Sequence, residues 1–320
     1  MSMKTVLITG AAGFIGSHLA ERLLNEGHVV IGVDNFVTGS KGNVERLGEL
    51  GMGEFEFFEM NVIDGGVIEK FSNMNIDEIY HLACPASPKD FKNLGVEILE
   101  VCALGGKNIL EIAKRTGAKF LYTSTSEVYG DPLEHPQCEN YFGNVNTLGP
   151  RSCYDEGKRF LESYIMNFSE KHGVDFRIAR VFNTYGPHMR KDDGRVIPNF
   201  IEQFLNGESV TIYGNGTQTR SFCYVGDLVD GLIKLMGHDG FGDSARDRVF
   251  NIGNPHEITI NELAETLAKV MDKDLNVEYK ELPKDDPLQR CPDISRAKEM
   301  LGFEPKITLE EGLRWTCEMW

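Results

Sequence analysis

Val6-Leu7-Ile8-Thr9-Gly10-Ala11-Ala12-Gly13-Phe14-Ile15-Gly16 is the stretch whose reading decides the fold. A short aliphatic, β-branched run enters, glycines make the turn, and residues 14–25 repeat apolar side chains at helical spacing, with Ile15, Leu19, Leu23 and Leu24 expected inward. Strand, tight turn and helix in that order bring free backbone N–H groups and the positive end of a helix dipole to one place, which suits a pyrophosphate. A second strand, expected over 28–33, ends in Asp34. An acid there binds both ribose hydroxyls of NAD and repels the 2′-phosphate of NADP. Gly10, Gly13, Phe14, Ile15, Gly16, Asp34 and Asn35 are therefore expected around that cofactor.

Further apolar runs at 55–58, 78–83, 120–123 and 175–181 alternate with helical patterns. Such alternation calls for an α/β fold with a Rossmann-type, doubly wound parallel sheet. Its ligand crevice lies beyond the carboxyl ends of the strands. Residues 10–16, Asp34, His81-Leu82-Ala83 and 123–127 all fall at such ends. After Asn183 the pattern breaks into Gly-Pro turns, isolated strands at 210–213 and 276–279, and short helices, read as a smaller substrate-binding lobe. Residues 248–252 look like a strand returning to the sheet, so the two parts interleave. The expected division is an NAD-binding domain over 1–182 with a returning segment near 226–256, and a substrate-binding lobe over 183–225 and 257–320. The loop-rich stretch 130–150 sits where a lid would be useful.

The 320 residues supply ample core, and a formal net charge of −16 argues against nucleic acid as a partner. No stretch approaches the roughly twenty apolar residues of a membrane span. The first residues read as a strand rather than a signal peptide, and a cytoplasmic protein is expected. Seven cysteines are scattered, odd in number and without a C-x-x-C pair, which favours reduced thiols over a metal site or a disulfide framework.

Tyr154-Asp-Glu-Gly-Lys158 carries the chemistry. A tyrosine and a lysine four apart share one helix face, and the ammonium favours the phenolate, giving a base for a sugar hydroxyl. The spacing alone is common and usually structural; the glycine turn and Asp34 give it meaning here.

At this point the chain resembles, nearly from end to end, an extended short-chain dehydrogenase/reductase acting on a nucleotide sugar, and within that family the UDP-glucuronate decarboxylases. The matching stretches are Thr123-Ser-Thr-Ser-Glu-Val-Tyr-Gly-Asp-Pro132, Gly149-Pro-Arg-Ser-Cys-Tyr-Asp-Glu-Gly-Lys158, Ala179-Arg-Val-Phe-Asn-Thr-Tyr-Gly-Pro187, Gln218-Thr-Arg-Ser-Phe-Cys-Tyr-Val-Gly-Asp227 and Asp286-Pro-Leu-Gln-Arg-Cys-Pro-Asp293. The glycine spacing is the GxxGxxG variant that this family carries.

The resemblance implies oxidation of the sugar at C4 by tightly held NAD, loss of CO2 from the resulting β-keto acid, protonation at C5 and return of the hydride. It implies Tyr154 as base, Lys158 as the group that lowers its pKa, and Thr125 as the hydroxyl that orients the 4-oxygen. Ser126-Glu127 stands where similar 4,6-dehydratases carry Asp-Glu and similar 4-epimerases carry no acid. Glu127 is implied near C5, with Arg290 either holding the carboxylate or donating the C5 proton. Asn183, Arg195, Arg220 and Arg290 are implied for the UDP-sugar, with a solvated loop charge as the alternative for Arg195. Asn61 and Val62 are implied at the adenine, and Leu82 and Ala83 are expected in the same cofactor site. Asn61 replaces a usual Asp, and Cys102 replaces a usual Asn of the fourth helix. Helices expected at 98–114 and 153–171 imply a homodimer. A UDP-hexose 4-epimerase, a 4,6-dehydratase and a non-catalytic nucleotide sensor are the competing readings.

Overall fold

The computed structural model describes residues 2–51, 53–281 and 289–320. Its centre is a seven-stranded sheet in which every pairing is parallel. Six strands come from the first 181 residues: β1 (Thr5–Thr9), β2 (Val29–Asp34), β3 (Glu54–Glu59), β4 (Glu78–His81), β5 (Lys119–Thr125) and β6 (Phe176–Val181). The seventh, Val249–Ile252, returns late in the chain to pair with β6. β1 lies between β2 and β4, so the order reverses there, and a crevice opens at the carboxyl ends of β1 and β4.

Period-two alternation explains why both faces are covered. Val6 and Ile8 of β1 point into a core closed by Leu19 and Leu23 of helix α1 (Phe14–Asn25) and by Leu228 and Leu232 of the helix Val225–Gly237. Leu7 points the other way, into a core with Ile109, Ile112, Leu161 and Ile165. A third core, with Phe200, Phe204, Ile212, Leu263 and Leu267, lies under the second half of the chain.

Several elements differ from the sequence expectation. β4 stops at His81, so Leu82 and Ala83 are free to face the crevice, whereas β5 runs on to Thr125. Ile15 is only partly buried: it packs against the first core and also lines the crevice. The strands near 210 and 277 are not isolated: Val210–Tyr213 pairs with Val277–Lys280 in parallel register. The single helix expected at 98–114 is interrupted by a π-helical turn, Val101–Gly105, between Gly95–Glu100 and Gly106–Thr116. Its two glycines let other side chains close in: a Cβ at Gly106 would lie 2.4 Å from Leu161, and one at Gly105 would lie 2.8 Å from Val62. The stretch 130–150 is no free lid. Gly130 bridges Asn144, Gln137 is fully buried, and the Gln137 side chain accepts from the Cys291 amide at 3.0 Å.

Candidate active site

The turn after β1 has the shape its glycines require. Gly10 has a φ of +76°, where a side chain would also collide with the Ala83 backbone, and a Cβ on Gly16 would lie 2.1 Å from the Gly10 carbonyl oxygen. Gly13, extended, caps the start of α1. Gly10, Gly13, Phe14, Ile15 and Gly16 thus line a cavity of about 1020 Å³. The Asp34 carboxylate ends β2 and accepts from the amides of Ala12 (3.1 Å) and Phe36 (2.8 Å). Burial raises its pKa, and those amides oppose the rise. A smaller connected recess is lined by Gly10, Asp34, Asn35, Asn61, Val62, Leu82 and Ala83. Asn61 uses its side-chain oxygen locally, accepting from the Ile63 amide at 3.3 Å. A glycine cradle at a helix start, with an acid at the end of the next strand, fits NAD.

On the far wall of the large cavity stand Thr125, Ser126, Glu127, Tyr154 and Lys158. The helix Ser152–His172 carries Tyr154 and Lys158 on one face, beneath the end of β5. Tyr154 stacks on Phe91 with centroids 5.1 Å apart and hydrogen-bonds the Thr125 side chain. Lys158 is buried, donates to the Thr123 carbonyl at 2.9 Å and lies 5.7 Å from the centre of the Tyr154 ring. The net effect on Tyr154 runs against the sequence expectation. Burial raises its pKa above the ordinary tyrosine value, and Lys158, although it pulls downward as expected, does not overcome that.

Glu127 and Arg290 form a buried ion pair. Arg290 also donates to the Gly130 carbonyl at 2.7 Å and to Ser126 Oγ at 3.4 Å, while its Nε has no partner among the described residues. The opposite oxygen of Glu127 meets Arg151 at 2.6 Å. Burial alone would raise the Glu127 carboxyl, but Arg290 and Arg151 outweigh it and hold the pKa down at about 2. Asp155, next to this cluster in charge terms, is pushed up to about 7 by burial and by the Glu127 charge.

The remaining residues line the same cavity. Arg290 and Arg220 are directly opposite each other on paired short strands, so one small sheet holds both guanidinium groups. Asn183 follows β6, and its carbonyl accepts from the Cys223 amide at 2.9 Å. Arg195 lines the cavity at the start of the helix Val196–Asn206, with its guanidinium paired to Asp193 at 3.0 Å and to the Ala86 carbonyl at 2.6 Å. Its side chain remains 36% exposed. Residues 286–288 of the string that carries Arg290 lie outside the described residues. Sequence reasoning gave no role to Arg151, Phe91 or Asp155; the first and last sit inside the quoted 149–158 stretch, but nothing in their spacing marks a tie to Glu127.

A Rossmann-type sheet with a glycine cradle, a terminal acid and a Thr–Tyr–Lys set defines an NAD-dependent enzyme of the extended dehydrogenase/reductase class. Residues 6–253 match the NAD dependent epimerase/dehydratase family, and the chain belongs to it. It is 52% identical over 313 residues to UDP-glucuronic acid decarboxylase 6 of Arabidopsis thaliana, covering 98% of this chain and 87% of that one. It is 47% identical over 315 residues to UDP-glucuronic acid decarboxylase 1 of Danio rerio, covering 98% and 72%. Among solved structures, the UDP-glucose 4-epimerase of Thermotoga maritima superposes with a TM-score of 0.88 at 32% identity, over 98% of both chains. The Bacillus cereus UDP-glucuronic acid 4-epimerase in complex with UDP-glucuronic acid and NAD gives 0.85 at 28% identity, again over 98% of both.

Proposed function

We propose that this chain converts UDP-glucuronate to UDP-xylose and CO2, with no net change in the oxidation state of its NAD. The observation that carries the reading is the buried Glu127–Arg290 pair, joined by Arg151, in the same cavity as Thr125, Tyr154 and Lys158. Moving a hydride on and off C4 needs only the last three; charged groups held beside them suit a substrate with a second reacting centre at its carboxylate. NAD, which Gly10, Gly13, Gly16 and Asp34 would hold, would supply the hydride acceptor and donor for C4, and its oxidised ring would add positive charge that helps Lys158 offset the burial of Tyr154.

Tyr154 accepts the proton of the 4-hydroxyl while Thr125 fixes the 4-oxygen. The ketone so formed is β to the C5 carboxylate, and the bond to CO2 breaks with its electrons entering an enolate. Two guanidinium groups against one carboxylate leave Arg151, Arg290 and Glu127 with one unit of positive charge, which favours entry of the sugar carboxylate. A guanidinium does not give up its proton near neutral pH, so Arg290 holds the carboxylate. Glu127, ionised, positions the water that protonates C5. Arg220 and Arg195 take the diphosphate side, with Asn183 between them and the sugar. In this reading residues 1–182 with 226–256 hold NAD, and 183–225 with 257–320 hold the nucleotide sugar.

The superposition with the UDP-glucuronic acid 4-epimerase favours a second reading, epimerisation at C4. Incubation with UDP-glucuronate decides between them: CO2 and a pentose nucleotide support decarboxylation, and a hexuronate epimer without CO2 supports the alternative. A cytoplasmic homodimer completes the proposal. No helix of the described residues is long and apolar enough to cross a membrane. Exposed Leu99, Leu104, Phe160 and Met166, on neighbouring helices, supply an apolar face for a second copy. Light scattering on Phe160→Glu, expected monomeric against a dimeric wild type, tests the dimer.

A further inference from the structure

The reaction proposed above uses no thiol, yet two lie at its centre. Cys84, just past β4, lines both the large cavity and the recess beside it. Cys102 is buried in the π-helical turn Val101–Gly105. All seven cysteines are free, and the sulfurs of these two are 3.9 Å apart. The Lys158 ammonium acts on both. The Cys84 thiol is pushed down to about 7, first by its hydrogen bond with Cys102, then by Lys158, against the effect of burial. The same bond and burial push Cys102 up. A thiol that ionises near neutral pH is the better nucleophile, and a protonated thiol in contact with it is placed to resolve what it forms.

We propose that Cys84 and Cys102 form a site of reversible two-electron oxidation by hydrogen peroxide, with Cys84 as the attacking thiol and Cys102 as the resolving one. The Cys84 thiolate attacks one peroxide oxygen, the O–O bond breaks, and the departing hydroxide takes up a proton to become water; Cys84 is left as a sulfenic acid. The Cys102 sulfur then attacks the Cys84 sulfur and the S–O bond breaks. A second water leaves with the Cys102 proton. Two thiols and one peroxide become one disulfide and two waters, with two electrons passing from sulfur to oxygen.

Closing the gap from 3.9 Å to the roughly 2.05 Å of a disulfide needs the sulfurs to approach. The π-helical turn supplies part of that approach, and its shift disturbs Val62, against which Gly105 packs, on the recess side of the site. Oxidation also removes the ionisable thiol beside Lys158. The oxidised enzyme therefore loses turnover, and the bond itself is detectable whichever sugar reaction the enzyme performs.

The test is to treat the purified full chain, loaded with NAD, with equimolar peroxide, alkylate the remaining thiols, and map the peptides by mass spectrometry. The expected result is a protein lighter by two hydrogens, with two fewer reactive thiols and a Cys84–Cys102 crosslinked peptide. Dithiothreitol should restore both thiols and turnover. Cys102→Ala should keep turnover before treatment, form no crosslink, and with a second equivalent of peroxide let Cys84 run on to the sulfinic acid, heavier by two oxygens. A crosslink between other cysteines, or a wild type that keeps all its thiols while free cysteine in the same tube is oxidised, overturns the proposal. The wild-type map alone decides if Cys102→Ala fails to fold.

Discussion

Arg290→Met puts the charge cluster to a quantitative test. The Glu127 side chain is only 15% exposed, and holding its carboxyl at about 2 instead of 4.5 corresponds to about 3 kcal/mol of stability at neutral pH. Because the folded pKa is depressed, that contribution is fully present above pH 4.5 and is lost as pH falls toward about 2. Arg290→Met removes the stronger of the two cations and leaves Arg151 at 2.6 Å. The expected cost is about 3 kcal/mol, the low end for breaking a buried pair. The double variant Glu127→Gln/Arg290→Met removes the stranded charge as well, so it should recover part of that loss. Urea unfolding at pH 7 of the wild type, both single variants and the double variant gives the coupling, expected above about 1 kcal/mol. Costs that add to within about 0.5 kcal/mol would refute the reasoning, because charges in contact inside the protein cannot act independently.

The remaining predictions concern the cofactor, the base and pH. NADP should bind the stripped protein at least about tenfold more weakly than NAD, about 1.4 kcal/mol, as read by calorimetry; equal affinity would remove the role of Asp34. Tyr154→Phe should keep NAD binding and lower turnover by about 10²–10⁴-fold, and near-normal turnover would make Tyr154 a packing residue. Asp155 has a folded pKa raised to about 7 from 3.8, so its contribution to stability is present below pH 3.8 and is lost as pH rises through about 7. Asp155→Asn should accordingly gain in urea midpoint over the wild type between pH 5 and pH 8. A constant difference would place the Asp155 carboxyl in water.

The parallel sheet, the glycine turn and the Tyr154–Lys158 face were legible because each depends on local spacing. Val6, Ile8 and Leu7 alternate on a period of two, and Gly10 and Gly16 sit where no side chain fits. What escaped depends on contacts between distant segments. The tie from Arg290 across to Gly130, and the burial of Gln137 that pins the supposed lid, join residues more than a hundred positions apart. The upward net shift of Tyr154 escaped for the same reason, since the lysine four residues on is visible in the string but the surrounding burial is not. The π-helical turn at Val101–Gly105 answers to side chains from Val62 and Leu161, which helical periodicity does not register.

Turnover of UDP-glucuronate in deuterated water tests the central claim most directly. Loss of CO2 leaves an enolate that must take a proton at C5 from an exchangeable source, whereas transfer of a hydride to and from C4 touches no C5 bond. The product should be UDP-xylose carrying one deuterium, at C5, with an equal quantity of CO2 released. A hexuronate epimer without CO2, or a pentose nucleotide with no deuterium at C5, would contradict the account.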